Sequence, residues 1–330
     1  MAGDVVCGVD DSIGAGRAVG LASDLATKLS RRLLLVHVTR GERSFPYGDG
    51  PGRERRRHAA WQHGDAVFSA LRRDQGMAAE VQERIEPGDT AMTLAAVAQE
   101  ERAAFVVVGS RGRGEIGAAL LGSVSDSLDR LAPCPVIVVP NRAAPNAAGF
   151  NAHGASIVCG IADRETEEGL VEFAADLAGA LGARLEVVHA DSEHALDAPV
   201  PTKEKAEEWP PGPDPYGQRP LGRLEPAMHL ADAHGVEAGG RLAVGPASLA
   251  LHRTAKNQDA LLIVIGLRRG GRLRLLLGGS VSRQLIRDGT TPIVVVPPRA
   301  HGPEERRLVP PIKASNAKSK SHGEPHSALR

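Results

Sequence analysis

Two groups of residues in this chain have the types and spacing to hold a phosphorylated ligand. Gly109, Gly112 and Gly122-Ser123-Val124-Ser125 follow the apolar run Val106-Val107-Val108, with two residues between the first glycines and nine before the third. Glycines let a backbone turn with positive φ and approach a ligand closely, and hydroxyls beside the free N–H groups of a helix start suit an anion. Asp10 closes a second apolar run, Val5-Val6-Cys7-Gly8-Val9. A carboxylate at the carboxyl end of a strand is placed to accept hydrogen bonds from the amino or hydroxyl groups of a ligand. The glycines do not form a Walker loop, because no Gly-Lys-Ser/Thr comes after them. They are not a dinucleotide fingerprint either, whose glycines stand closer together. Arg111 and Arg113, set between the glycines, can screen phosphate charge. Ser110 and Ser123 offer hydroxyls to a metal-bound phosphate. The loop offers no evident acidic partner for a metal, so Mg2+ would be held mainly by phosphates and water.

Residues so far apart in sequence meet only if strands and helices carry them to one place. Val5 to Asp10 reads as a buried strand, and Ala18, Leu21, Ala22, Leu25, Ala26 and Leu29 recur at helical spacing after it. Leu33 to Val38 is a second strand and Glu80 to Ile85 a third. Phe105 to Gly109 is a fourth and Val136 to Val139 a fifth. Helices are expected at Ala66 to Leu71, Thr90 to Glu101 and Ser123 to Leu131. Apolar strands alternating with helices imply an α/β fold with a parallel, doubly wound sheet covered on both faces. Ligands in such sheets sit beyond the carboxyl ends of the strands, where the winding reverses. Asp10, Val38 and Gly109 all end strands, so the expected crevice has Val9, Val38 and Val108 as its apolar lining.

The chain contains this pattern twice. Val5-Val6-Cys7-Gly8-Val9 returns as Ile157-Val158-Cys159-Gly160-Ile161, and Gly109 through Gly122-Ser123 as Gly266 through Gly279-Ser280. Pro135-Val136-Ile137-Val138-Val139-Pro140 returns as Pro292-Ile293-Val294-Val295-Val296-Pro297. A repeat of this length is one structural unit used twice. The glycine loop with its closing strand resembles the ATP-binding signature of the universal stress protein family, and the whole chain looks like a tandem member of it. That resemblance implies a Rossmann-like five-stranded sheet of order 3-2-1-4-5 in each copy. It also implies ATP as ligand at Val9, Asp10, Val38, Val108, Gly109, Arg111, Gly112, Gly122, Ser123, Val124 and Ser125, and a role in stress or dormancy responses. Association through the last strands is implied too. Val136 to Val139 and Ile293 to Val296 are expected to pair across a pseudo-two-fold axis within one chain, with homodimers through the same edges left open.

The expected domains are residues 1–141 and 155–300, with a small-residue linker at 142–154 and a disordered tail at 301–330. Two inserts, Gly41 to Arg57 and Asp191 to Pro220, interrupt the pattern and read as irregular. The second copy departs from the first where it matters. Ala162 stands for Asp10, Arg164 for Ser12 and Arg269 for Gly112. Alanine accepts no hydrogen bond from a base, and a Cβ at the second glycine resists positive φ. The second copy is therefore expected to bind ATP weakly or not at all.

Composition removes other classes. Lys plus Arg equals Asp plus Glu at 40 each, so no overall field favours nucleic acid or an anionic membrane. Aromatic residues are 3% of the chain, too few for a base-stacking platform. No apolar run approaches the roughly 20 residues of a membrane span, and Met1-Ala2-Gly3-Asp4 lacks a basic leader, so a cytoplasmic protein is expected. Cys7 and Cys159 read as inert core, Cys134 as more exposed with a redox role conceivable, and none has metal-ligand spacing. His37 and His189 lack triad partners and read as hydrogen-bonded, partly buried residues. The N-cap after Asp10 falls to Asp11 or Ser12. The leading reading is an ATP-dependent sensor or regulator that signals to an unidentified protein partner. A slow ATPase or phosphotransferase, and an interaction module without nucleotide, are the rivals. No general base accompanies the glycines.

Overall fold

The computed structural model describes residues 3–40, 51–75, 81–110, 124, 127, 128, 131–143, 154–162, 168–191, 224–267 and 280–297. The first copy runs β1 (Val5–Val9), α1 (Ile13–Lys28), β2 (Leu33–Arg40), α2 (Pro51–Gln75), β3 (Val81–Gly88), α3 (Thr90–Glu100), β4 (Phe105–Gly109) and β5 (Val136–Val139). The second runs β6 (Ser156–Ile161), α4 (Glu168–Leu181), β7 (Arg184–Asp191), α5 (Glu225–Ala233), β8 (Ala238–Val244), α6 (Ala247–Asn257), β9 (Leu262–Gly266), α7 (Ser280–Asp288) and β10 (Ile293–Val296).

The strands make one ten-stranded sheet of order β3-β2-β1-β4-β5-β10-β9-β6-β7-β8. Within each half the neighbours are parallel, and both halves repeat the order 3-2-1-4-5. The halves meet where β5 and β10 pair antiparallel, with Ile293 opposite Val138, Val294 opposite Ile137 and Val295 opposite Val136. Antiparallel pairing is what a two-fold relation between parallel sheets requires. All six of these side chains are buried. Burying one Val or Ile stabilises by about 1.5–3 kcal/mol, against about 0.5–1.5 kcal/mol net for one backbone hydrogen bond. Side-chain packing therefore dominates the seam. Phe105 and Phe173 extend it, with ring centroids 6.1 Å apart.

Helix α1 forms because Ala18, Leu21, Ala22, Leu25 and Ala26 make one buried stripe, and Ser12 caps it by accepting a hydrogen bond from the Ala15 N–H at 3.2 Å. Asp89 caps α3 in the same way through the Met92 N–H at 3.0 Å. Gly8 in β1 and Gly160 in β6 admit the helix above: an added Cβ would lie 2.7 Å from Leu94 Cδ1 and 2.9 Å from Leu251 Cδ1.

Three expectations are corrected. Helix α2 covers Pro51–Gln75 rather than Ala66 to Leu71 alone, so the end of the first insert is helical. Pro51 suits a helix start. The Arg-, His- and Gln-rich turns after it show no apolar period in the sequence, and the buried hydrophobic residues among those described are Val67, Phe68 and Leu71. Strands β2 and β3 run on to Arg40 and Gly88, since their ladder continues through Val38 opposite Glu86, Thr39 opposite Pro87 and Arg40 opposite Gly88. Backbone pairing there outlasts the apolar pattern. The insert after Asp191, most of the linker and the tail lie outside the described residues.

Candidate functional site

The carboxyl ends of β1, β2 and β4 stand side by side. Val9 lies opposite His37, which puts Asp10 level with Val38, and Cys7 lies opposite Val107, which puts Gly109 level with Val9. Asp10 and Gly109 therefore face one another across the place where the winding reverses. The half-buried Asp10 accepts a hydrogen bond from the Ser12 N–H through Oδ1 at 3.0 Å, which orients the carboxylate.

Gly109 is required by close approach. A Cβ there would lie 2.9 Å from the Gly14 carbonyl carbon and 3.0 Å from its oxygen, so the first turn of α1 sits directly on the end of β4. At Gly266 in the second copy, the added Cβ would meet, among the described residues, Leu170 Cδ2 at 3.3 Å; residues 163–167, the counterpart of the turn that holds Gly14, lie outside them. Val38, Val108 and Val124 share the apolar cluster on one face of the sheet, and Val9 belongs to the other. Arg111, Gly112, Gly122, Ser123 and Ser125 lie outside the described residues, as do Arg164 and Arg269. Ala162 comes after β6 at the place of Asp10 and brings no carboxylate.

His37 is 5% exposed and bonded through Nδ1 to the Val9 carbonyl at 3.0 Å. A carbonyl only accepts, so Nδ1 carries the proton. The ring also lies edge-on to His63 and Phe68 of α2. His189 is equally buried. His37 is thus hydrogen-bonded as expected, and both histidines are buried at strand ends.

Cys134 is not exposed. It is 8% accessible, and burial pushes its thiol up to about 12, well above a reactive range. It packs with Val106, Val136 and Val138 at the start of β5. Burial likewise raises the Cys7 thiol. Ser110 also departs from expectation: it is 4% exposed, and its Oγ accepts the Asn141 N–H at 3.1 Å instead of facing a metal-bound phosphate. Asn141 reads as a linker residue in the sequence. The signal that marks it is the contrast between the residues that leave the two Pro-bounded strands, Asn141 after Pro140 but Pro298 after Pro297.

A cleft of about 430 Å3, lined by Lys28, Leu29, Arg31, Ala104, Asp176 and Ala180, opens at the amino ends of the strands, away from Asp10 and Gly109. Among the described residues no group of His, Cys, Asp and Glu is placed to hold a metal. No described helix is long and apolar enough to cross a membrane.

Two doubly wound halves, joined along their fifth strands and each with the order 3-2-1-4-5, define a tandem Rossmann-like α/β protein. Universal stress protein family sequences match residues 1–140 and again 155–297, and the chain belongs to that family. It is 31% identical over 319 residues to a universal stress protein of Mycolicibacterium smegmatis, covering 89% of this chain and 97% of the relative. It is 32% identical over 227 residues to one of Mycobacterium tuberculosis, covering 67% and 66%. The fold matches the crystal structure of a universal stress protein from Archaeoglobus fulgidus with a TM-score of 0.63 at 17% identity, over 90% of this chain and 99% of that one.

Proposed function

We propose that the first domain binds ATP, with Mg2+ carried on the phosphates, at the crevice between Asp10 and Gly109, and that the protein is a nucleotide-dependent sensor or regulator of a cytoplasmic stress response. The observation that carries this reading is the juxtaposition of an oriented carboxylate and a sterically obligatory glycine at the switch point, which the second copy lacks at Ala162. Asp10 takes the adenine or ribose donors, and Val9, Val38 and Val108 line the base. Arg111, Gly112, Gly122, Ser123, Val124 and Ser125 take the phosphates. A partner protein reads the surface that the bound nucleotide fixes. The domains are residues 1–141 and 155–300.

Calorimetric titration of ATP with Mg2+ into the full chain tests the reading, beside Asp10→Ala and Gly112→Arg, which imitate the second copy. One site per chain is expected, weakened about 10- to 100-fold by Asp10→Ala, as loss of a hydrogen bond to a charged group predicts. Two sites would show that the second copy is competent. No binding by the folded wild type would leave an interaction module. Phosphate release well above background in the same samples would instead favour an ATPase.

A further inference from the structure

The stem of the glycine loop holds a polar pair that the second copy has lost on both sides. Ser110, the residue after β4, accepts the Asn141 N–H through Oγ at 3.1 Å, and its own N–H donates to the Val139 carbonyl at 2.8 Å. The backbone bond is kept in the second copy, where the Leu267 N–H donates to the Val296 carbonyl at 3.0 Å. The side-chain bond cannot be. Leu267 has no hydroxyl, and Pro298, at the place of Asn141, has no N–H. Two separate replacements have each abolished one partner of one hydrogen bond, in the same copy that lost the carboxylate of Asp10.

The sheet does not need this bond, since β9 and β10 pair in full without it. The donor is the Asn141 backbone N–H, which any residue except proline would supply, and the Asn141 side chain takes no part: its Oδ1 is buried with no hydrogen-bond partner among the described residues. A bond dispensable to the sheet, at the point where the chain leaves Gly109 for the loop, points to a role in the loop's direction.

We infer that Ser110 and Asn141 are positioning residues for phosphate binding: their hydrogen bond sets the direction in which the chain leaves β4, and hence the alignment of the glycine loop with the phosphates. This rests on the nucleotide reading above. Neither side chain touches the ligand. Both act through the backbone that does, so the effect grows with the number of phosphates and spares the base.

The test is calorimetric affinity for adenosine, AMP and ATP with Mg2+ in the full chain, for wild type, Ser110→Ala, Asn141→Pro, the double variant and Ser110→Thr, with thermal midpoints of the free proteins. Each single variant is expected to weaken ATP about fivefold, the double variant no further, and adenosine to stay within about twofold, as loss of one neutral hydrogen bond predicts. Ser110→Thr, which keeps the hydroxyl, restores ATP binding. Unchanged ATP affinity, equal losses for adenosine and ATP, or additive losses in the double variant would each overturn the inference while leaving the nucleotide site standing. A folded wild type that binds none of the three overturns both.

Discussion

The first and second domains share a sheet order, a seam and a buried histidine at one strand end, yet they differ at Asp10 and in the stem of the glycine loop. Asp10 becomes Ala162, and the Ser110–Asn141 bond is replaced by Leu267 and Pro298. Gly109 meets the Gly14 backbone, and among the described residues Gly266 meets the Leu170 side chain. The cores do not diverge in this way: Gly8 and Gly160 still admit Leu94 and Leu251 at nearly equal distances. Fold and site are thus under separate constraints, and the second half keeps those of the sheet.

The largest expected effect breaks the comparison by parting the halves. Ile137→Asp puts an unpaired carboxylate against Val294 in the seam, where both residues are fully buried. A loss of about 3–5 kcal/mol is expected, read by chemical denaturation, with a larger radius in X-ray scattering as the domains separate. An unchanged radius and stability would show that the β5–β10 pairing does not hold the halves together. The contrast sharpens at the strand ends. Gly109→Ala drives a Cβ into the Gly14 backbone and should cost about 2 kcal/mol, whereas Gly266→Ala, which among the described residues meets a movable leucine tip, should cost less than about 0.5 kcal/mol. Equal melting shifts would remove the steric distinction between the crevices. The smallest effect is an absence of reaction common to both halves. Cys7, Cys134 and Cys159 are all buried, so a maleimide should leave the native protein unlabelled near neutral pH and react only in denaturant. Rapid native labelling at Cys134 would restore the redox reading.

Much of this was legible in the sequence, for identifiable reasons. β4 and β5 begin and end at the expected residues, because short runs of buried Val and Ile bounded by Pro or Gly leave a strand few alternatives. The antiparallel seam was legible because two such runs would otherwise end each half on an open edge. α2 was not, because its first turns show no apolar period in the sequence. At the N-cap the sequence left Asp11 and Ser12 open; only the geometry shows that Ser12 caps while Asp10 bonds the Ser12 N–H. The Ser110–Asn141 bond joins residues 31 apart in the sequence, a proximity that spacing does not express. Cys134 misled because flanking prolines suggest an exposed turn, whereas this turn tucks the thiol beneath β4 and β5.

The seam between β5 and β10 also removes a variable from the protein's behaviour. Subunits that meet as separate chains do so to an extent set by their concentration. Here the two faces are tethered, and their encounter is a first-order event at a high effective concentration. Dilution cannot part them, and their ratio is fixed at one to one. A partner guaranteed by translation need not hold its place by binding anything itself, which leaves the second half free to lose its crevice while the sheet it completes stays whole.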